Sequence, residues 1–365
     1  MSSTGRELAK NVGLLLASLL LCLVAIELYA KWFVWPEDGP NLSTYVEDLE
    51  LGKRLRPGYV GSHHGSQVSI NSHGMRDREY AFEKPPGTLR VLALGDSWTF
   101  GVGMRPEQTW PKRLEAHLSS QERPVAVMNT GVSGYETYHE AIYYDELKDR
   151  FEHDLVLVGI YPVNDVHDKG SRYERYQRLH AISPWLLDLY RLPKHLYVTQ
   201  LYENWRKARK YARRAKFYEQ NPEAAPGATP EEPNPGHFAP GEDDWTDLYT
   251  DDFDGWVTMR ESFASIGESA RAAGVPAAAI LFPDLRDLAR YRDYSRPRVE
   301  PLIRAAVEDA GLELIDLAAD FVRYAGREPE ISGMAGSTHP SPDGYDLIAR
   351  AVARELRARN LLPSR

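Results

Sequence analysis

Cysteine is nearly absent from this chain of 365 residues, which contains one cysteine, Cys22. A single cysteine cannot form an intramolecular disulfide, and it excludes a zinc site built from several cysteines. Basic residues are not in excess either, since 44 Lys and Arg stand against 53 Asp and Glu, for a formal net charge of −9. This acidic balance argues against nucleic acid as a partner. The overall composition is that of an ordinary globular protein.

Phosphate and metal motifs are lacking as well. The stretch Gly101-Val102-Gly103 lacks the third glycine of the dinucleotide-binding fingerprint, and no GxxxxGK motif occurs. His63 and His64 are adjacent, with His73 close in sequence, but no acid or third ligand follows at a spacing suited to zinc. We therefore interpret these histidines as surface residues. The sequence predicts no metal and no other cofactor.

One long hydrophobic run lies near the N-terminus. Residues 12–26 are all apolar, glycine or serine, and Leu28–Ala30 extend the run beyond Glu27. About 19 residues of helix cover roughly 28 Å, which is enough to cross the hydrocarbon core of a membrane. Arg6 and Lys10 precede the run, and acidic residues follow it. The positive-inside rule then places the N-terminus in the cytoplasm and the rest of the chain outside, in the periplasm or at the cell surface.

A cleaved signal peptide is the alternative for this run. Its small-x-small cleavage site would put Leu28 at the outer small position of Leu28-Tyr29-Ala30, which is unfavourable. We therefore favour an uncleaved anchor, with residues 1–35 forming a cytoplasmic stub and a transmembrane helix.

Beyond residue 88, apolar runs alternate with helical patterns. Strands are predicted at Leu89–Leu94, Val125–Met128, Leu155–Ile160, Ala277–Phe282 and Leu312–Ile315, and helices at 107–118, 138–151, 256–273, 299–310 and 345–359. Residues 155–160 are continuously apolar, as in a parallel strand that is buried on both faces. The alternation predicts an α/β domain over residues 89–362, in which helices cover both faces of a parallel sheet.

Two further stretches depart from this alternation. Residues 36–88 are predicted to be a connecting region with a small β element, because Gln67–Ile70 alternates like a short strand and Asn71–Gly74 resembles a turn. An insertion at about 167–255 has an aromatic and basic first half and a second half rich in proline, glycine and acids. Its basic residues indicate either a solvated helical face or a surface for anionic headgroups or polymer.

Four short motifs contain candidate catalytic residues. Gly95-Asp96-Ser97, residues 129–134 and Asn164-Asp165 directly follow the first three predicted strands, and His339-Pro340 precedes the last helix. Since the carboxyl ends of parallel strands meet at one edge of a sheet, we expect the first three motifs to lie together. A serine nucleophile, N–H donors and a histidine base suffice for acyl transfer. Each motif alone is weak evidence, because serine, glycine and asparagine are also ordinary cap and turn residues.

This ordered set resembles the SGNH/GDSL hydrolase family. The four blocks match as Gly95-Asp96-Ser97, Gly134, Asn164-Asp165 and His339-Pro340, and Asn71–Arg76 resembles the lead-in of membrane-anchored bacterial members. The resemblance implies a flavodoxin-like, three-layer α/β/α fold with a parallel sheet. It also implies ester or acyl chemistry without a metal.

The resemblance also assigns roles to individual residues. Carried over by position, Ser97 attacks the acyl carbon and His339 accepts its proton. The backbone N–H groups of Ser97 and Gly134 and the side-chain amide of Asn164 hold the oxyanion. Asp96 and Asp165 occupy supporting positions.

Two departures from the family pattern concern the third and fourth blocks. Pro162 stands two positions before Asn164, where glycine is usual, and Gly336 stands three residues before His339, where the family has the aspartate that orients the histidine. The carbonyl of Gly336 could orient the imidazole instead, as could Asp343 or Glu330. Losing the orienting aspartate lowers turnover by about 10⁴-fold in other serine hydrolases, so an inactive relative is an alternative.

The sequence therefore predicts an extracytoplasmic serine esterase that is anchored in a membrane and acts on an acyl ester or an acylated carbohydrate. One alternative is an O-acyltransferase acting on an envelope or extracellular polysaccharide, which differs only in that a sugar hydroxyl replaces water as acceptor. The other is a catalytically silent carbohydrate-binding protein that retains the fold. The sequence does not distinguish hydrolysis from transfer, and it does not indicate the oligomeric state.

Overall fold

The computed structural model describes residues 3–29, 33, 44–63, 66–166, 244–333 and 339–363, and single positions between 181 and 220. Its helices are α1 Ser3–Tyr29, α2 Ser97–Phe100, α3 Trp110–Leu118, α4 Thr137–Lys148, α5 Asp254–Ala273, α6 Leu288–Arg290, α7 Arg296–Asp309, α8 Ala318–Phe321 and α9 Pro342–Ala358. Its strands are β1 Tyr45–Asp48, β2 Gly52–Leu55, β3 Val60–His63, β4 Ser66–Ser69, β5 Leu89–Leu94, β6 Val125–Asn129, β7 Leu155–Ile160, β8 Ala277–Leu281 and β9 Glu313–Asp316.

The chain divides into two compact units. The first comprises Met1–Ser43 with Arg175–Pro222, and the second comprises Thr44–Glu174 with Glu223–Arg365. In the first unit, the predicted hydrophobic run is a helix, α1. Residues Gly5–Tyr29 are long and apolar enough to cross a membrane, by length and composition, and a signal sequence meets the same criteria.

The second unit is built on a five-stranded parallel sheet in the order β6-β5-β7-β8-β9. Counted along the chain from β5, this is the 2-1-3-4-5 order of flavodoxin-like folds. Every residue of β5, β6, β7 and β8 is buried. The predicted parallel α/β sheet is therefore confirmed. The strand order reverses between β5 and β7, and ligands of such sheets bind at this switch point, beyond the carboxyl ends of the strands.

Helices cover both faces of the sheet, as the continuously apolar strands require. Helices α3 and α9 pack together on one face, and α4 and α5 pack together on the other. Successive side chains of β5 point to opposite faces of the sheet, so Val91 and Ala93 lie in one hydrophobic core and Leu92 and Leu94 lie in the other. The three-layer α/β/α arrangement is thereby confirmed.

Two antiparallel strand pairs precede the main sheet, β1 with β2 and β3 with β4. The sequence predicts a strand near β4 but misses β1, β2 and β3, because each has four residues and alternates too briefly to stand out. The turn predicted at Asn71–Gly74 is present, with the Gly74 N–H donating to the Asn71 carbonyl over 3.1 Å. Gly74 has a φ of +81°, which favours glycine.

His63 is a correction to the sequence interpretation, which placed it at the surface. Its ring is partly buried, lies 3.2 Å from the Thr44 hydroxyl and 3.3 Å from the Tyr45 hydroxyl, and packs edge-on against Phe100. The burial arises because His63 lies between Thr44 and Tyr45, at the start of β1, and Phe100, at the end of α2, a packing that the sequence pattern does not reveal. His64 lies outside the described residues.

A buried arginine fixes the loop that follows the nucleophile candidate. The Arg76 guanidinium donates to the carbonyl oxygens of Phe100 at 2.8 Å and Gly101 at 2.5 Å, and also to that of Met104. Burial lowers the pKa of Arg76 to about 10, so the side chain remains charged at neutral pH. The segment before β5 thus supports the loop that follows Ser97.

Candidate active site

Ser97 begins α2 directly after β5, and the chain turns sharply there. Gly95 has a φ of +148°, and a Cβ on it would lie 2.0 Å from the Thr99 hydroxyl oxygen, so no larger residue fits. The side chain of Asp96 caps α2 by accepting from the Trp98 N–H at 2.8 Å. This turn holds the Ser97 side chain at the carboxyl end of β5, at the switch point of the sheet.

His339 contacts Ser97, although the two residues are 242 positions apart in the sequence. The Nε2 atom of His339 lies 2.7 Å from the Ser97 Oγ. The His339 carbonyl accepts from the Gly333 N–H at 2.6 Å, and Pro340 pairs with Ser332 in an isolated bridge. Because the backbone at His339 and Pro340 is held to Ser332 and Gly333, the imidazole is positioned against the serine hydroxyl before any substrate binds.

Asp96 is fully buried and links Ser97 to Asn164. Its Oδ2 accepts from the Asn164 side-chain amide at 2.9 Å and lies 3.3 Å from the Ser97 Oγ. Burial raises the pKa of Asp96, while hydrogen bonds from Asn164, Trp98 and Ser97 oppose the rise. Ser97, Asp96, Asn164 and His339 therefore form one hydrogen-bonded group.

Gly134 lies on the neighbouring loop, after β6. Its φ of +74° suits glycine, and the loop is held to the nucleophile turn because the Val132 N–H donates to the Gly95 carbonyl at 3.0 Å. Gly131 permits the close approach of the two loops, since a Cβ there would lie 2.3 Å from the Phe100 amide nitrogen. The loop of Gly134 thus adjoins the turn that carries Ser97.

The candidates for orienting His339 differ in their positions. Asp343 is exposed in the first turn of α9. Glu330 is also exposed and pairs with Arg327 at 3.5 Å. Gly336 lies outside the described residues, so its proposed carbonyl contact stays a prediction.

Two further buried carboxyl groups lie near Asp96. Asp165 accepts from the Tyr161 N–H at 2.7 Å, and Glu140 projects from α4. In the described part of the chain, neither carboxyl oxygen of Glu140 has a hydrogen-bond partner. Burial, followed by the charge on Asp96, raises the pKa values of both Glu140 and Asp165 well above the usual range. A buried carboxylate with unsatisfied oxygens is costly, and both oxygens of Glu140 and one of Asp165 are unsatisfied within the described residues, so these groups favour their neutral forms.

Glu140 was not identified from the sequence as a buried carboxyl group, although its position in the helix pattern indicated one. Glu140 lies four residues before Tyr144 and seven before Leu147, on the buried stripe of α4. An acid in such a stripe has either a partner or a raised pKa. Deciding between these requires knowing what packs against the helix, which only the fold reveals.

Replacing Glu140 with methionine is expected to stabilise the protein at neutral pH by about 1–3 kcal/mol, since an unsatisfied buried polar group gives way to an apolar side chain of similar size. When folding raises the pKa of a carboxyl group, the folded state loses stability as pH rises above the pKa that the group has in the unfolded state. The gain in unfolding free energy from Glu140→Met should therefore shrink as pH falls toward the ordinary glutamate pKa. Denaturation of the full chain in neutral detergent across this pH range would measure it.

Two control variants accompany Glu140→Met. Glu140→Gln removes the charge but keeps a polar group and should recover only part of the gain. Glu268→Met replaces an exposed glutamate of α5 and should change stability little at any pH. A gain that does not vary with pH would show that Glu140 is not protonated on folding.

Metal ligation is not indicated by the described residues, which contain no group of three or more His, Cys, Asp or Glu side chains placed to hold an ion.

The end of the predicted insertion reaches the turn that carries Asn164, since the Tyr249 hydroxyl donates to the Pro162 carbonyl at 2.8 Å. Most of the insertion lies outside the described residues.

Comparison with known proteins adds a family match. The family model of the GDSL-like lipase/acylhydrolase family matches residues 93–347. No functionally curated protein matches the chain. Matching solved structures include the hydrolase LAE5 from the metagenome of Lake Arreo, Spain, with 17% identity, 76% of this chain and 97% of that chain covered, and a TM-score of 0.40. TesA matches with 13% identity over 74% of this chain and 98% of the TesA chain, with a TM-score of 0.42. The acetylxylan esterase Axe2 from Geobacillus stearothermophilus matches with 14% identity over 73% of this chain and 94% of the Axe2 chain, with a TM-score of 0.41.

Proposed function

The chain belongs to the GDSL-like lipase/acylhydrolase family, and from that premise we propose that it is a serine esterase with Ser97 as nucleophile and His339 as base. The observation that carries the proposal is the 2.7 Å distance between the Ser97 Oγ and the His339 Nε2. This is hydrogen-bond reach between a hydroxyl and the nitrogen that would take its proton. A binding protein has no need of such a contact.

The first half of the reaction makes an acyl-enzyme. The Ser97 Oγ attacks the acyl carbon of the ester while its proton moves to the His339 Nε2, which requires the neutral ring to carry its own proton on Nδ1. The carbonyl oxygen becomes an oxyanion. When the tetrahedral intermediate collapses, the bond to the alcohol breaks, and the imidazolium gives its proton to the departing alcohol oxygen. Water then repeats these steps at the acyl-serine and releases the carboxylic acid.

Three donors serve the oxyanion in this proposal: the N–H groups of Ser97 and Gly134 and the side-chain amide of Asn164. An asparagine amide has two N–H bonds. One is committed to Asp96 at 2.9 Å, which fixes the plane of the amide and leaves the second for the oxyanion. Asp96 then acts as a positioning residue for both Asn164 and Ser97, and Asp165 holds the turn after β7 through the Tyr161 N–H.

We place the catalytic unit outside the cytoplasm, anchored by α1. The apolar helix and the basic residues Arg6 and Lys10 before it support this topology. We propose an acyl ester or an acylated carbohydrate as the substrate. Transfer to a sugar hydroxyl would use the same residues, and adding a sugar acceptor to the assay separates the two outcomes by the product formed.

The proposal is tested by labelling the full chain in neutral detergent with a fluorophosphonate probe and by measuring hydrolysis of 4-nitrophenyl acetate. We expect the wild-type protein to be labelled and to turn over the ester, and the Ser97→Ala variant to lose labelling. Ser265→Ala is the matched control, because this serine is exposed on α5 and its loss should leave labelling intact. A folded wild-type protein that neither labels nor turns over would instead favour the silent, carbohydrate-binding alternative.

A further inference from the structure

A lysine from the segment before the main sheet reaches the loop of Gly134. Lys53 lies on β2 and is half-buried. Its Nζ lies 3.0 Å from the position that a Cβ on Gly134 would occupy and 4.9 Å from the centre of the Tyr45 ring. The Tyr135 hydroxyl donates to the Lys53 carbonyl at 2.8 Å, which ties β2 to the same loop. An ammonium group therefore lies beside the proposed oxyanion donor.

The aromatic and imidazole groups around this ammonium are neutral at neutral pH. Burial raises the pKa of Tyr45, so its phenol keeps its proton. Burial, with a smaller contribution from the charge of Lys53, lowers the pKa of His139 to about 4. Glu47 lies opposite Lys53 in the β1–β2 pair and is exposed. The β1–β2 hairpin thus places the positive charge of Lys53 beside the Gly134 loop.

We propose that Lys53 forms an anion subsite that receives a carboxylate on the alcohol part of the ester, so that the preferred substrate is an acylated alcohol or sugar bearing a negative charge. This inference rests on the proposed esterase function and names its substrate class. A half-buried ammonium pairs more strongly with a carboxylate than a fully solvated one does, because water screens it less. Tyr45, under the Lys53 Nζ, holds the lysine in place through a cation–π contact.

The test compares two acetate esters that differ in one charge. The full chain in neutral detergent is assayed with 4-acetoxybenzoate and with its neutral methyl ester, following acetate release. Lys53→Gln is expected to lower kcat/KM for the anionic ester by about tenfold relative to the neutral ester, and Lys53→Glu by more. Added salt should reduce the preference of the wild-type protein for the anionic ester. Lys148→Gln is the matched control, since Lys148 pairs with Asp145 at the end of α4 and should not change the ratio.

An equal loss for both esters would overturn the subsite, because it would mean that Lys53 serves the oxyanion or the fold. An unchanged ratio in Lys53→Gln would overturn it as well. Failure of the esterase proposal gives a different result, namely no turnover of either ester by the wild-type protein. Binding of 4-hydroxybenzoate, followed by NMR, then decides the subsite independently: binding that is lost in Lys53→Gln supports it, and binding that is absent or unaffected overturns it.

Discussion

Replacing His339 with alanine is expected to lower kcat for aryl acetate hydrolysis by on the order of 10⁴–10⁶-fold, with little change in KM, since Ser97 loses the base that takes its proton. The 2.7 Å contact between the His339 Nε2 and the Ser97 Oγ is the observation behind this expectation. The two residues act as a unit. The Ser97→Ala, His339→Ala and double variants should therefore retain nearly the same residual rate rather than show multiplied losses.

A second histidine provides the control for His339→Ala. His117 is partly buried and pairs with Asp346 at 2.8 Å, on helices α3 and α9. His117→Ala removes an imidazole of similar exposure without touching the serine, so kcat should stay within about twofold of the wild-type value, as for variants away from functional contacts. If His339→Ala retained a tenth of the wild-type rate, another group would have to be the base, and the proposed mechanism would be wrong.

The sheet could be predicted from the sequence because its strands are short, continuously apolar and separated by helical patterns. Leu155–Ile160 has the predicted bounds, since both faces of β7 are buried and no polar residue interrupts it. Helix starts were less accurate. The predicted helix from residue 107 begins instead at Trp110, because residues 106–108 form a separate 3₁₀ turn and Thr109 precedes α3 in an extended conformation.

The proximity of the candidate residues could be anticipated because parallel topology brings motifs that follow neighbouring strands together in space. Ser97 and Asn164 each follow a strand beside the switch point, and the loop of Gly134 follows the adjacent strand. Lys53 and Glu140 could not be anticipated in this way. Lys53 reaches the Gly134 loop through the packing of a hairpin with no sequence signature, and the state of Glu140 depends on which groups lie near it after folding.

Replacing Asn164 with alanine is expected to lower kcat by about 10²–10³-fold with little change in KM, because an oxyanion donor is worth more to the transition state than to the bound ester. The loss has a second source. The Asn164 amide is one of the hydrogen bonds that oppose the rise in the pKa of buried Asp96, so its removal raises that pKa further and loosens the group that positions Ser97.

Asn164→Asp tests the second contribution, since it loses the same donors as Asn164→Ala and any additional loss of kcat comes from the effect on Asp96. It keeps the size of the side chain, removes both N–H donors and places a second carboxyl beside buried Asp96. At neutral pH it should therefore be at least as inactive as Asn164→Ala. Asn360→Asp is a control for the same substitution, since Asn360 is exposed after α9 and should leave kcat unchanged. A rise in KM at constant kcat for Asn164→Ala would assign Asn164 to ground-state binding and leave the oxyanion to the two backbone donors.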